Sequence, residues 1–168
     1  DLVTKCVIDN LKALGVEPFI VPAMGSHGGA TAEGQIAVLA GYGITEETMG
    51  VPIKASMETI VVGEIEPGFP VHADKYAAQA DYIIPIKVHT AFDGEIESGV
   101  CKMLSIGIGK HNGCSRIHQV GFPNFPIYIP KVSDVILNTF CIPFGVALVE
   151  NAHEHLHTIR LLPRETLV

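Results

Sequence analysis

The spacing of apolar and polar positions predicts an α/β fold, in which helices and strands follow one another along the chain. Near the start, apolar residues recur on one helical face and predict a helix that stops at Gly15: Leu2, Val3, Cys6, Val7, Leu11 and Leu14. Residues 19–21 then predict a short buried strand, and residues 33–40 predict a second helix. The glycine-rich loop between them, residues 25–31, is typical of a βα unit in a parallel sheet.

The rest of the chain is organised around residues 81–118. An apolar and β-branched run, residues 82–88, predicts a buried strand that ends at His89. The turn-like Asp93-Gly94 follows, and helical spacing begins again at Glu97. Strand carboxyl ends and helix amino ends converge in open α/β sheets, so we expect the chemistry of this protein to lie in that loop.

Weaker patterns predict the remaining elements. They are strands at 51–56, 59–63, 145–149 and 159–162, helices at 72–80 and 132–139, and a proline-rich connector at 122–130. No internal repeat, low-complexity linker or charge run marks a domain boundary. The sequence therefore predicts a single α/β domain over residues 1–168, with a mostly parallel sheet.

Composition and charge narrow the classes of function. The formal net charge of −7 argues against nucleic acid or an anionic membrane as the main partner. No apolar run reaches the roughly 20 residues of a membrane span. The four cysteines lack the spacing of a disulfide framework or a zinc ribbon and favour a reducing cytoplasm: Cys6, Cys101, Cys114 and Cys141. Asp1 leads directly into a helical pattern rather than a signal peptide, so we expect a fragment of a longer protein.

Two histidines are candidates for acid–base catalysis. His27 lies among glycines, which let the backbone approach a ligand closely, and an imidazole titrates near neutral pH. His89 follows a strand that is predicted to be buried, so we expect its side chain at the carboxyl edge of the sheet, beside the His27 loop. Two imidazoles across one cleft could handle a proton on either face of a substrate. The alternatives are that His27 caps a helix or lies idle on the surface, and that His89 is a satisfied strand-end histidine.

Lys102 lies between apolar residues, and a desolvated lysine can act as a nucleophile or a covalent tether. Snorkelling from a helix is the alternative. His111 and His118 are seven residues apart and would share a face if the segment were helical, although Gly113 disfavours one continuous helix. The phosphate-loop-like residues 107–110 lack the following Ser/Thr and the full spacing of that motif.

A third group of candidates is the alternation of His153, His155 and His157. On a strand, these side chains would point to one side and could chelate zinc or nickel. The same segment also fits a hairpin connection with surface histidines. A zinc-dependent hydrolase is therefore one rival function, and a cofactor-free α/β module that binds a ligand or metal is another.

Two long motifs resemble the nickel-dependent lactate racemase family. One is G-S-H-G-G-A-T, at residues 25–31. The other is K-x-H-T-x-F-x-G-x-I-E-S-G-x-x-K-M-L-x-I-G-x-G-K-H-x-G, at residues 87–113. Residues 149–152 are also similar to the family, so the resemblance covers most of the chain.

The resemblance implies a Rossmann-like three-layer N-terminal domain, a C-terminal domain that is not part of this sequence, and an active site between the two. It implies a nickel-pincer nucleotide as cofactor, a pyridinium ring whose carbon and sulfurs hold nickel and which a lysine thioamide tethers. The substrate would be a small 2-hydroxy acid, lactate-like or a sugar acid. The reaction would be racemisation or epimerisation by proton-coupled hydride transfer.

Matched residue by residue, His27 and His89 resemble the two acid–base histidines, and Lys102 resembles the tether. His118 fits the nickel ligand by its distance from Lys102 along the chain, and His111 is the fallback. Small residues beside the two catalytic histidines match further cofactor-binding positions: Gly28, Gly29 and Thr90.

The match has departures. Val88 stands where the family usually has proline, and the spacing from His89 to Lys102 is longer than in the best-known lactate racemases. The family's upstream Asp-x-x-Arg element is not among these residues. We therefore expect a fragment of the N-terminal domain that is inactive alone and lacks the cofactor after heterologous expression.

Overall fold

A computed structural model of the chain describes residues 2–90, 99–150 and 155–168. The helices of this part are α1 (Leu2–Ala13), α2 (Ala32–Gly41), α3 (Glu46–Met49), α4 (Val100–Lys102), α5 (Lys110–His118) and α6 (Phe125–Thr139). The strands are β1 (Thr59–Glu64), β2 (Pro70–Asp74), β3 (Ile86–Thr90), β4 (Phe144–Glu150) and β5 (Leu156–Pro163). A π-helical turn, Met103–Gly107, follows α4. The fold is mixed α/β, as the sequence predicts.

The strands form two small sheets. β1 and β2 pair antiparallel. The second sheet has the order β3-β4-β5, in which β3 runs parallel to β4 and β4 runs antiparallel to β5. Only one of the three strand pairings among the described residues is therefore parallel. The prediction of a mostly parallel sheet is wrong for this part of the chain, because β5 returns beside β4 through a short connection and needs no crossover helix.

The larger hydrophobic core lies among α4, the π-helical turn, α5, α6 and the two sheets. Its most deeply buried side chains include Leu104, Ile117, Ile129, Ile136 and Ile142. A smaller cluster near the N-terminus packs Ile8 of α1 against Met49 of α3 and against Val51. The larger cluster thus includes residues of both α5 and the π-helical turn.

Helix α6 includes most of the predicted proline-rich connector. Its buried residues recur at the helical spacing of a single apolar stripe: Phe125, Ile129, Val132, Ser133, Ile136 and Leu137. Pro126 lies in the first turn, where a backbone N–H has no intrahelical partner. Pro130 removes one internal hydrogen bond, and burial of the stripe outweighs that loss. The connector prediction is wrong because it followed the prolines rather than the stripe.

Three other element predictions also fail. The predicted strands at 19–21 and 51–56 are reduced to one isolated parallel bridge between Ile20 and Ile53. The predicted helix at 72–80 is the end of β2 followed by a 3₁₀ turn, Ala77–Gln79. Val71 and Ala73 are buried while His72 between them is only partly buried, which is the period of a strand. Gly113, by contrast, lies inside one continuous α5, so His111 and His118 do share a helix.

The three-stranded sheet is covered unevenly. On one face, Gly145 of β4 lies close to Val100 of α4, Pro85 and Leu167. The other face has rows of apolar residues that run across the strands, and its β5 members are exposed: Ile159 at 48% and Leu161 at 70%. No helix in the described residues is long and apolar enough to cross a membrane.

Candidate functional site

The loop of residues 25–31 has a fixed backbone conformation. Gly25, Gly28 and Gly29 all have positive φ, at 60°, 66° and 66°, a region in which glycine avoids the steric cost of a side chain. The loop closes through hydrogen bonds from the His27 amide to Met24 O at 3.1 Å and from the Ala30 amide to Ser26 O at 3.0 Å. The His27 side chain is exposed. The first candidate histidine therefore stands on a built turn and is open to a ligand.

The same loop is locked onto helix α2. Thr31 is the N-cap residue of α2, and its Oγ1 accepts a hydrogen bond from the Gly34 amide at 3.0 Å. Gly28 and Gly34 touch so closely that a Cβ built on Gly34 would lie 1.9 Å from Gly28 O. The alternative that His27 caps the helix is wrong, because Thr31 supplies the α2 cap. His27 also makes no side-chain cap hydrogen bond to the short 3₁₀ turn that follows it, Gly28–Ala30.

The loop also rests on the second long motif. The Gly25 amide donates to Gly107 O at 3.1 Å, and a Cβ on Gly25 would lie 3.2 Å from Ile106 Cγ2. Gly107 in turn lies against the carbonyl of Ala23. Two stretches that are about 80 residues apart in sequence thus form one backbone-to-backbone contact, and glycine at both positions permits the close approach.

A line of polar contacts leads from this loop to helix α5. Ser26 Oγ lies 3.4 Å from Cys114 Sγ, and Cys114 Sγ lies 3.5 Å from His118 Nδ1. The Nδ1 atom of His118 also lies 2.7 Å from the carbonyl oxygen of Cys114. A carbonyl oxygen can only accept, so Nδ1 carries the proton and Nε2 keeps its lone pair when this imidazole is neutral. His118 therefore presents the nitrogen that a metal ligand needs.

Below the loop lies a buried polar cluster centred on Lys110. Its ammonium group donates to Pro22 O and to Gln35 Oε1, the latter at 3.0 Å, and lies 3.3 Å from Asp74 Oδ2. Asp74 Oδ1 accepts hydrogen bonds from the amides of Tyr76 and Ala77. Burial lowers the pKa of the Lys110 amine, and the adjacent Asp74 carboxylate opposes that shift. Lys110, Asp74 and Gln35 all have completely buried side chains.

Gln35 connects this cluster to the loop above it. Its amide nitrogen Nε2 donates to Gly25 O at 2.8 Å and to His27 O at 3.3 Å. The described residues thus contain a continuous polar path from Asp74 through Lys110 and Gln35 to the backbone of His27. Neither Gln35 nor Asp74 can be identified from the local sequence, because their partners are distant along the chain. Gln35 and Lys110, for example, are 75 positions apart.

The candidate tether, Lys102, lies at the end of α4 and is partly buried. It is close enough to Lys87 of β3 to influence that residue electrostatically. Burial lowers the pKa of the Lys87 amine, the positive charge of Lys102 lowers it further, and Glu150 opposes both effects. Two lysines of the second motif, Lys87 in β3 and Lys102 in α4, are therefore close enough for their charges to interact.

His89 and Thr90 form the end of β3, opposite Val149 and Glu150 of the parallel strand β4. The predicted strand at 82–88 is shifted along the chain, because β3 begins at Ile86 and continues through His89 to Thr90. The positions of their side chains lie outside the described residues, so the meeting of His27 and His89 across a cleft stays a prediction. Among the other candidates, His27, Gly28 and Gly29 lie on the loop that contacts α5 through Ser26 and Cys114, and His118 is the neighbour of Cys114 on that helix.

His111 faces a different groove. A cavity of about 360 Å³ is lined by His72, His111, Asn112, Ser115, Arg116 and Gln119. His72 Nδ1 lies 3.1 Å from Thr59 Oγ1, which accepts a hydrogen bond from Asn112 Nδ2 at 2.8 Å. A larger cavity of about 840 Å³ opens on the other side of Asn112, beside Thr31 and the first turn of α2. The fallback nickel ligand thus shares its groove with a second histidine rather than with the His27 loop.

We expect acid to destabilise the chain through His72. Burial lowers the pKa of this imidazole below its ordinary 6.5, so near that pH the unfolded chain binds a proton more tightly than the folded chain. The contribution of His72 to stability is full above pH 6.5 and is lost as the pH falls through 6.5 toward the folded-state pKa. Urea denaturation at pH values from about 7.5 to about 5.5 measures the fall, which should be smaller in His72→Asn than in the unchanged chain. Equal falls in the two proteins would contradict this assignment.

The described residues contain no group of three or more His, Cys, Asp or Glu side chains that could hold a metal ion. His155 and His157 are exposed, and His153 lies outside the described residues. A site made of these three histidines therefore stays a prediction. The larger part of the candidate site is the exposed side of residues 25–31 together with His118, and the buried π-helical turn supports that loop through Gly107.

No protein-family model matches the chain, and neither does any curated protein sequence.

Proposed function

We propose that this chain belongs to an enzyme that racemises or epimerises a small 2-hydroxy acid with a nickel-pincer nucleotide. The observation that carries the proposal is the contact between the two motifs that resemble nickel-dependent lactate racemases. The Gly25 amide donates to Gly107 O at 3.1 Å, and Ser26 leads through Cys114 to His118. Motifs that serve one active site must meet in space, and these two meet although they are far apart in sequence.

The residues present fit the cofactor in two respects, the nickel ligand and the tether. A pincer ligand supplies most of the nickel coordination itself, so a single histidine is enough, and a cluster of protein ligands is not required. His118 meets this need because its Nδ1 proton is committed to the Cys114 carbonyl and Nε2 keeps a lone pair. Lys102 would supply the tether and His118 the nickel ligand, with Gly28, Gly29 and Thr90 lining the ring. His111 is the weaker choice because it lies in the His72 groove.

When bound, the cofactor supplies a hydride acceptor to the site. His27 and His89 act as the acid and the base: one takes the proton of the substrate hydroxyl as the hydrogen on the carbon leaves as hydride, and the other gives a proton to the carbonyl oxygen when hydride returns to the opposite face of that carbon. The exposed position of His27 on a hydrogen-bonded glycine turn suits this role, because a catalytic imidazole must reach the substrate. A tether on Lys102 would hold the cofactor beside the bound substrate, which lowers the entropic cost of bringing the two together.

Replacement of either acid–base histidine tests this function. In full-length protein produced together with the enzymes that make the cofactor, His27→Ala and His89→Ala should each slow the interconversion of 2-hydroxy acid enantiomers by at least about 100-fold. The exposed His157 offers the matched control, and His157→Ala should keep full activity. Undiminished interconversion in either of the first two variants would exclude the two-base scheme.

Intact-mass measurement separates the enzyme from the alternative, a cofactor-free α/β module that binds a ligand or metal and is inactive as this fragment. An added mass on Lys102 supports the racemase. Unmodified protein from cells that make the cofactor supports the module. Zinc found on His153, His155 and His157 instead would support a hydrolase.

We further propose that the described sheet is part of a Rossmann-like three-layer domain, the N-terminal domain of a two-domain enzyme whose C-terminal domain closes the site. The apolar face at Ile159 and Leu161 supports this, because three-layer folds place helices on both faces of the sheet. We also propose a cytoplasmic location, in keeping with four cysteines that are all free thiols.

A further inference from the structure

We propose that Lys110 is a positioning residue that, through Gln35, sets the loop conformation in which His27 faces the substrate. The inference starts from what Lys110 can and cannot do in a hydrogen bond. An ammonium group only donates, so the atom of Gln35 that lies 3.0 Å from it must be the carbonyl oxygen Oε1. The Gln35 nitrogen must then face the opposite side, where it donates to the carbonyls of Gly25 and His27.

Lys110 and the two loop carbonyls favour the same orientation of the Gln35 amide. Without the ammonium group, Gln35 Oε1 would be buried without that donor, so the side chain would have to shift to satisfy it and would hold the two loop carbonyls less firmly. Among the described residues, Gln35 Nε2 is the hydrogen-bond donor found for both of these carbonyls, so a change at Gln35 acts directly on the backbone of residues 25–27. The position of the buried Gln35 amide thus influences the backbone conformation of His27.

Two further observations favour a functional role over simple support. Lys110 has φ of +53°, a strained value for a residue with a side chain, and such strain persists where the surroundings demand one arrangement. A buried ion pair is weak support for stability, because well-packed apolar residues often do as well. The pair formed by Lys110 and Asp74 is instead suited to hold a single geometry, since the Tyr76 and Ala77 amides fix the carboxylate in turn.

The test uses two variants that act on different parts of the path. Gln35→Glu keeps an oxygen for Lys110 but loses the N–H donors to the loop. The double variant Lys110→Met with Asp74→Asn keeps Gln35 and removes both charges, and the new amide can still accept from the Tyr76 and Ala77 amides. Thr45→Ala is the control, because it removes the N-cap of α3 and lowers stability without touching the loop.

Two measurements on each protein give the result. Hydrogen exchange of the amides of residues 25–31 should be faster by about tenfold or more in both variants and unchanged in the control. The nuclear magnetic resonance signals of the His27 ring should move in both variants and stay in place in the control. Unchanged exchange and unchanged His27 signals in Gln35→Glu and in the double variant would overturn the proposal.

The catalytic consequence rests on the proposed function. In cofactor-loaded protein, both variants should lower kcat by about tenfold or more and leave KM within about twofold, because the loop orients an acid–base group rather than binding substrate. Full kcat together with fast loop exchange would overturn the positioning role. Full-length, cofactor-loaded protein with no substitution and no racemase activity would defeat the proposed function alone, and the exchange and resonance measurements would still decide whether Lys110 sets the loop.

Discussion

Replacing Lys110 with methionine is expected to destabilise the chain by about 3–5 kcal/mol, the range found when one partner of a buried ion pair is removed. The substitution leaves the Asp74 carboxylate completely buried without its counter-charge. It also removes the donor to Pro22 O and to Gln35 Oε1. Unfolding in urea, followed by circular dichroism, measures the change in the free energy of unfolding.

The double variant with Asp74→Asn provides the control for this expectation. Asparagine removes the stranded charge but can still accept hydrogen bonds from the Tyr76 and Ala77 amides, so it should recover a large part of the loss. The two substitutions should therefore be strongly non-additive, as expected for groups in one network. A loss below about 1 kcal/mol for Lys110→Met alone would show that the ion pair contributes little to folding.

Gly34→Ala is expected to destabilise the chain by about 1–3 kcal/mol or more, although an alanine inside a helix is normally favourable. Gly34 lies in α2, where helix propensity alone would favour alanine by about 1 kcal/mol. The added Cβ would lie 1.9 Å from Gly28 O and 2.7 Å from the Gly28 carbonyl carbon. Both are backbone atoms and cannot rotate away, so the 25–31 loop must move off the helix.

The same helix supplies the matched control. A Cβ on Gly41, the last residue of α2, would meet no atom within 4 Å. Gly41→Ala should therefore be neutral or stabilise the chain by up to about 1 kcal/mol. Thermal unfolding of the two variants side by side measures the contrast. Equal melting temperatures would mean that the loop can leave α2 without cost.

Several elements follow from local pattern alone. Helix α1 and the strand-like runs of β3, β4 and β5 lie where periodicity predicts them, within a few residues. The predicted apolar face of α1 is wrong, because the buried residue of the helix is Ile8, while Leu2 and Leu14 are exposed. Burial of a periodic apolar face is a local property of the sequence, because each residue carries its own transfer free energy. The glycine loop and the histidine on it could be identified for the same reason, since positive φ is a property of single residues.

Other elements needed the tertiary structure. The short segments around Ile20 and Ile53 were predicted as strands but form only one bridge, because a strand depends on partners that the local sequence does not contain. Pro126 and Pro130 led to the prediction of a connector, but burial of the apolar stripe of α6 outweighs the helix-breaking effect of proline. The local sequence gives no sign that Asp74 and Gln35 matter, because their role depends on contacts with the distant Lys110.

The α/β character, the glycine turn that bears His27 and the candidate residues around Lys102 and His118 can all be found in the amino-acid sequence. Each of these depends on the chemistry of single residues or on short-range periodicity. The contact between the two long motifs at Gly25 and Gly107, and the hydrogen bond from the buried Lys110 to Gln35, are visible only in the folded chain. Contacts between distant residues form when the whole chain folds cooperatively, so no segment carries them alone.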